Sequence, residues 1–179
     1  MSKSLPVLAL FLTLMGGVFI VIGLATPNWI TRNSGQFHQG LWKYCANNNP
    51  CLKLERGPDF AGWLQAVRVL DILGFLNLLV GLILLVNYVR QDEGPQSLYR
   101  IRNIIAFCVV SFCFTMSGIL LYAAKKNQGF FGGRYDPNEY DFGWSFSLTA
   151  VGGVLMFGNA VILAIQLRKN TKLGTYESI

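Results

Sequence analysis

The sequence predicts an all-α transmembrane fold, a single four-span membrane domain over residues 1–179, and three observations carry that reading. Of the 179 residues 53% are apolar and only 13% are charged, and the mean hydropathy of +0.42 lies above the range of soluble domains of this length. Four stretches carry no charge at all: Ser4 to Thr31, Ile72 to Val89, Asn103 to Ala124 and Phe142 to Leu167, with 28, 18, 22 and 26 residues. Each is long enough to cross hydrocarbon as a helix and too long for a barrel strand. Backbone amides in lipid must also be bonded within their own segment, which leaves helices.

In chain order, the first span covers about residues 5–27. A cleaved signal peptide has a shorter apolar centre followed by small residues, whereas Leu5 to Ala25 leads into Thr26-Pro27-Asn28-Trp29, which reads as an interfacial anchor. Residues 28–63 form a long loop. Its runs Trp29-Ile30-Thr31, Gln36-Phe37-His38-Gln39-Gly40-Leu41-Trp42-Lys43-Tyr44-Cys45 and Cys51-Leu52-Lys53-Leu54 alternate and are divided by Asn, Gly and Pro, the pattern of short strands and turns, with Asn47-Asn48-Asn49-Pro50 as a hairpin turn. The second span, about 64–89, passes through a short connection, 90–101, to the third, about 102–124. A second loop, 125–141, leads into the fourth span, about 142–167, and a tail, 168–179.

Four spans put both termini on one side. Seven basic residues (Lys3, Arg90, Arg100, Arg102, Arg168, Lys169, Lys172) fall on the terminal side and eight on the other, but the seven are denser and closer to span ends, which favours cytoplasmic termini. Cys45 and Cys51, with five residues between them, fit a disulfide if the first loop is extracellular; a pair of reduced thiols is the alternative. A metal site would need further ligands, and the only histidine is His38. Cys108 and Cys113 lie within the third span and read as packing residues or palmitoylation sites.

The order Trp29, Gly40-Leu41-Trp42, Cys45, Cys51 between the first two of four spans resembles the signature of the claudin superfamily. The likeness continues through Leu64-Gln65-Ala66-Val67-Arg68 at the second span and Phe142-Gly143-Trp144-Ser145-Phe146 at the fourth, and so extends over the whole chain. It implies a left-handed four-helix bundle with a small extracellular antiparallel β-sheet, built mostly from loop 1 with one strand from loop 2. It further implies that Cys45 and Cys51 are bridged and that Trp29 and Trp42 sit at the sheet–membrane junction, where an indole keeps its N–H wet. The runs Ser34 to Cys45 and Phe131-Gly132-Gly133-Arg134-Tyr135 are most similar to the lens fibre-cell membrane protein branch. The peripheral myelin and epithelial membrane proteins depart from the Gly-Leu-Trp triplet, and paracellular claudins have a longer first loop.

Within the spans, Arg68 and Asp71 stand three apart on one helical face and are expected to form an intramembrane ion pair, since a lone Asp in hydrocarbon costs about 2.5–3.5 kcal/mol. Asn77 and Asn159 are expected to bond between helices, and the span glycines to allow close packing inside the bundle. Phe130, Phe131 and Tyr135 in the second loop are the interaction candidates, because exposed paired aromatics fit a partner. Glu177, Ser178 and Ile179 form a candidate PDZ-binding end, read by strand addition with the carboxylate held in backbone N–H groups.

The net charge of +6 is divided between both membrane faces, so headgroups, not nucleic acid, are the expected counter-charge. No nucleophile elbow, phosphate loop or metal helix is present in the sequence, so neither an enzyme nor a cofactor is expected, and no Asn-x-Ser/Thr sequon occurs. Three functions remain, in order. The first is a plasma-membrane protein supporting cell–cell contact, adhesion or junction organisation by self-association within one membrane and across two. The second is an auxiliary subunit of a channel partner or receptor, as in the superfamily's calcium-channel gamma branch. The third is a paracellular, anion-selective barrier, favoured by a net charge of +2 over residues 28–64.

Overall fold

The computed structural model describes residues 4–32, 37–46, 50–54, 62–90, 97–126 and 140–176. Four helices, α1 (Ser4–Ala25), α2 (Gly62–Arg90), α3 (Ser97–Lys125) and α4 (Trp144–Tyr176), enclose the chain's apolar interior, and all four are long and apolar enough to cross a membrane. Between α1 and α2 lie the strands β1 (Ile30–Arg32), β2 (Phe37–Gln39), β3 (Lys43–Ala46) and β4 (Leu52–Lys53); β5 (Tyr140–Phe142) precedes α4. The chain is therefore a claudin-like four-span fold, with four apolar helices and one small antiparallel sheet, as the sequence predicts.

Local chemistry sets the helix ends. Pro6 falls in the first turn of α1, where its missing N–H costs nothing. At the other end Pro27 disfavours helix in the residue before it, and Thr26 closes the last turn by donating its N–H and Oγ1 to the Ile22 carbonyl at 3.1 and 2.6 Å. α2, α3 and α4 outrun their charge-free stretches, because backbone bonding continues wherever the chain allows it, whereas α1 stops short of the end of its own at the turn before Pro27. The segment that the sequence marks as a connection is already helical from Ser97, and the segment it marks as a tail is helical as far as Tyr176.

The helices pack in a ring, α1 against α4, α4 against α3, α3 against α2, with the α1–α2 seam the loosest. That seam holds an apolar cleft of about 300 Å³ that opens outward, lined by Leu14, Gly17, Val18, Phe75, Leu78 and Leu82 among others. Elsewhere small residues bring backbones together. A Cβ on Gly152 of α4 would stand 2.9 Å from the Gly16 carbonyl oxygen and 2.7 Å from Ile20 Cγ1 of α1, so only glycine permits this crossing. Gly158, deep in α4, faces open space instead. Asn159 ties three helices, donating to Thr13 Oγ1 at 2.6 Å and lying 3.6 Å from Cys108 Sγ. Asn77 corrects the expectation made for it: it is bonded to the Leu73 carbonyl of its own helix at 2.8 Å, because it sits on the outer side of α2.

The sheet has the order β4-β3-β2-β1-β5, antiparallel throughout. Ile30 pairs with Gln39 and with Phe142, and Gln39 pairs with Tyr44, so these residues share one face; Ile30 and Gln39 are buried, which makes it the face turned to the bundle. Thr31, His38, Cys45, Lys43, Lys53 and Asp141 fall on the other face by alternation and register. Trp29, Ile30, Leu41, Leu54, Leu64, Val67, Ile119 and Tyr122 form one buried cluster. Sheet and helices therefore share a core.

Candidate functional site

The residues singled out by the signature converge where the sheet meets the bundle. Trp29 is fully buried and its indole N–H donates to the Gly23 carbonyl at 2.7 Å. Its ring meets Tyr122 of α3 edge-on at 4.8 Å and Phe146 of α4 at 5.8 Å, contacts that each contribute about 0.5–1.5 kcal/mol beyond burial. Its backbone is bonded on both sides: Trp29 N–H donates to Gln39 O at 2.8 Å, and Trp29 O accepts from Gly143 N–H at 3.0 Å. One residue thus joins α1, β2 and the entry to α4. The expected wet indole is corrected here. Tyr122 and Phe146 cover the ring, and the chain's own carbonyl takes the N–H that water would have taken.

Gly40 and Leu41 have equally local reasons. A Cβ on Gly40 would lie 2.5 Å from Thr26 O and 2.6 Å from Pro27 Cα, so glycine lets the loop cross directly over the end of α1. Leu41 then inserts into the core with no exposure. Trp42 is 39% exposed and is the one signature tryptophan that reaches the surface. Cys45 and Cys51 are joined in a disulfide on the outward face of the sheet, between β3 and β4.

Arg68, 5% exposed at the top of α2, holds the loop from beneath. Its Nε donates to the Leu41 carbonyl at 2.7 Å, its Nη2 donates to the same oxygen and to Leu54 O at 3.5 Å, and its guanidinium lies 4.8 Å from the centre of the Trp42 ring. Charge-assisted bonds of this kind are about twice as strong as neutral ones. The ion pair expected between Arg68 and Asp71 is not formed. Arg68 extends toward the loop carbonyls, whereas Asp71 lies one turn deeper, fully buried against Gly118 of α3, and its two oxygens accept no hydrogen bond among the described residues.

Some positions in the core escaped sequence reasoning. Thr13 accepts from Asn159 and donates to Ala9 O at 2.8 Å, and Ser111 of α3 donates to Gly74 O of α2 at 2.8 Å. The signal for both was available, as hydroxyls placed at helical spacing from glycines. Cys108 is buried and Cys113 exposed. Phe130, Phe131 and Tyr135, and likewise Glu177, Ser178 and Ile179, lie outside the described residues. Among the described residues no three His, Cys, Asp or Glu side chains are grouped to hold a metal ion. The arrangement is a mechanical one: a sheet welded to a bundle through Trp29, Leu41 and Arg68.

Comparison with known proteins agrees with this geometry. The family model described as the PMP-22/EMP/MP20/Claudin family matches residues 3–163. Among curated proteins, the lens fiber membrane intrinsic proteins of Rattus norvegicus and Homo sapiens are each 29% identical to this chain, over 170 and 172 residues, covering 93% of it and 94% of their own length. That of Bos taurus is 29% identical over 171 residues with the same coverage. With the signature residues, four spans and cross-linked sheet in place, the chain belongs to the PMP-22/EMP/MP20/Claudin family.

Proposed function

We propose that this protein is a non-catalytic plasma-membrane component that supports contact between cells, with its termini in the cytoplasm and its sheet outside, through association of the extracellular loops. The observation that carries the reading is the sheet–bundle junction. A five-stranded sheet held by a shared apolar core and by Arg68 presents a fixed surface at a fixed height above the bilayer, as a contact element requires. A disulfide on the outer face fits the oxidising side of the membrane. Self-association within one membrane places several such sheets side by side, and association across two membranes pairs them.

The test is to express a tagged copy in non-adherent cells that lack junctions, mix them with untransfected cells, and compare its density at each class of contact. Enrichment is expected only where both neighbours express it, and is expected to fall when Phe130 and Phe131 in the second loop are both changed to Ala. A uniform distribution at all contacts refutes the reading.

A further inference from the structure

The outward face of the sheet carries a charge arrangement that self-contact does not account for. Lys43 of β3 and Lys53 of β4 are direct register partners, so two ammonium-bearing side chains leave the same face from backbone positions about 5 Å apart, an arrangement that is repulsive in isolation. Both are exposed, and neither has a carboxylate partner among the described residues. The acidic side chain described on that face, Asp141, is on β5 at the far edge, three strands from Lys43. At strand spacing that is about 14 Å, beyond the screening length in physiological salt. The disulfide between Cys45 and Cys51 lies beside the lysines and fixes the two strands that carry them, so the pair is held together by covalent structure and not by chance side-chain placement.

We infer that the Lys43–Lys53 corner is a docking surface for a polyanion on the outer side of the membrane, and specifically for the sulfate and carboxylate groups of an extracellular polysaccharide. Charge complementarity selects the anion, and compartment selects the source. Anionic phospholipids are concentrated in the cytoplasmic leaflet, so an outward-facing lysine pair meets few of them, whereas sulfated polysaccharide chains stand above cell surfaces and reach it. A bound sulfate relieves the Lys43–Lys53 repulsion, and the exposed positions let both ammonium groups approach one chain without desolvating the sheet. The inference rests on the outward placement of the sheet and adds a ligand distinct from a second copy of this chain.

The test uses the full chain in nanodiscs of phosphatidylcholine, captured on immobilised heparin and, in parallel, on phosphatidylserine vesicles. The parent protein is expected to bind heparin with an affinity that falls as salt is raised. K43Q/K53Q is expected to weaken binding by about tenfold, while K43R/K53R retains it and the charge-matched R90Q/K169Q, on the terminal side, leaves it unchanged. Nanodisc yield and an intact disulfide in each variant show that the fold is kept. Absence of heparin binding by the parent, equal binding by parent and K43Q/K53Q, or preference for the anionic vesicles over heparin would each overturn the assignment. Enrichment at contacts between two expressing cells after heparinase digestion reports on self-association alone, so failure of one proposal is distinguishable from failure of the other.

Discussion

Trp29 illustrates how much one side chain settles at the residue scale. Its N–H satisfies Gly23 O, its ring fills the space between α3 and α4, and its backbone starts the sheet. Trp29→Phe keeps an aromatic body but leaves the buried acceptor unpaired, and is expected to cost about 1–3 kcal/mol of stability, read as a lower midpoint of thermal unfolding in detergent. An unchanged midpoint would mean that the bond adds nothing. Asp71 is the opposite case, a fully buried carboxyl that accepts no hydrogen bond among the described residues. Asp71→Asn is expected to leave the midpoint unchanged or raise it, since it removes an uncompensated acid from the bundle; a marked fall would reveal a partner for the carboxylate. The sequence marked both residues but misjudged their surroundings. Spacing places Arg68 and Asp71 on one helical face, yet a long guanidinium stem chooses among all acceptors within reach, and the loop carbonyls that won are distant in sequence.

At the scale of elements, spans and strands were legible for different reasons. A helix that crosses lipid must be long and predominantly apolar, so the existence and order of the four crossings are written directly in the chain. The strands of the first loop were visible as short alternating runs, and the family resemblance implied one antiparallel sheet that takes a strand from the second loop. The order β4-β3-β2-β1-β5 and its register were not legible, because strands of two to four residues carry too little pattern to set them. The helix ends were less legible, since helical bonding does not stop where hydrophobicity does, as Ser97–Arg102 and the segment to Tyr176 show. Glycines were recognisable as packing residues but not their partners. Gly152→Ala places a methyl against Gly16 O and Ile20 and is expected to cost about 1–3 kcal/mol, whereas Gly158→Ala, in open space, is expected to be neutral or to gain up to about 1 kcal/mol from helix propensity. Equal unfolding midpoints for the two variants would contradict the packing described for the α1–α4 crossing.

In the molecule as a whole, helices and sheet act as one body. The cluster around Trp29 takes residues from the first loop, α2 and α3, so the sheet has no apolar core of its own and depends on the bundle for its shape. This dependence is what turns a short loop into a contact surface, and the sequence foretold it only through the order of Trp29, Gly40, Leu41, Trp42 and Arg68, whose meaning is spatial. Hydrogen exchange in nanodiscs, followed at the amides of Trp29, Leu54, Gly143 and Ser145, tests it most directly, because the first two close the first loop on itself and the last two bond the entry and first turn of α4 to that loop. All four are expected to exchange together and at least about a hundredfold more slowly than an unstructured chain. Exchange near the unstructured rate while the spans stay protected would show a sheet that opens independently of the bundle, and so two bodies in place of one.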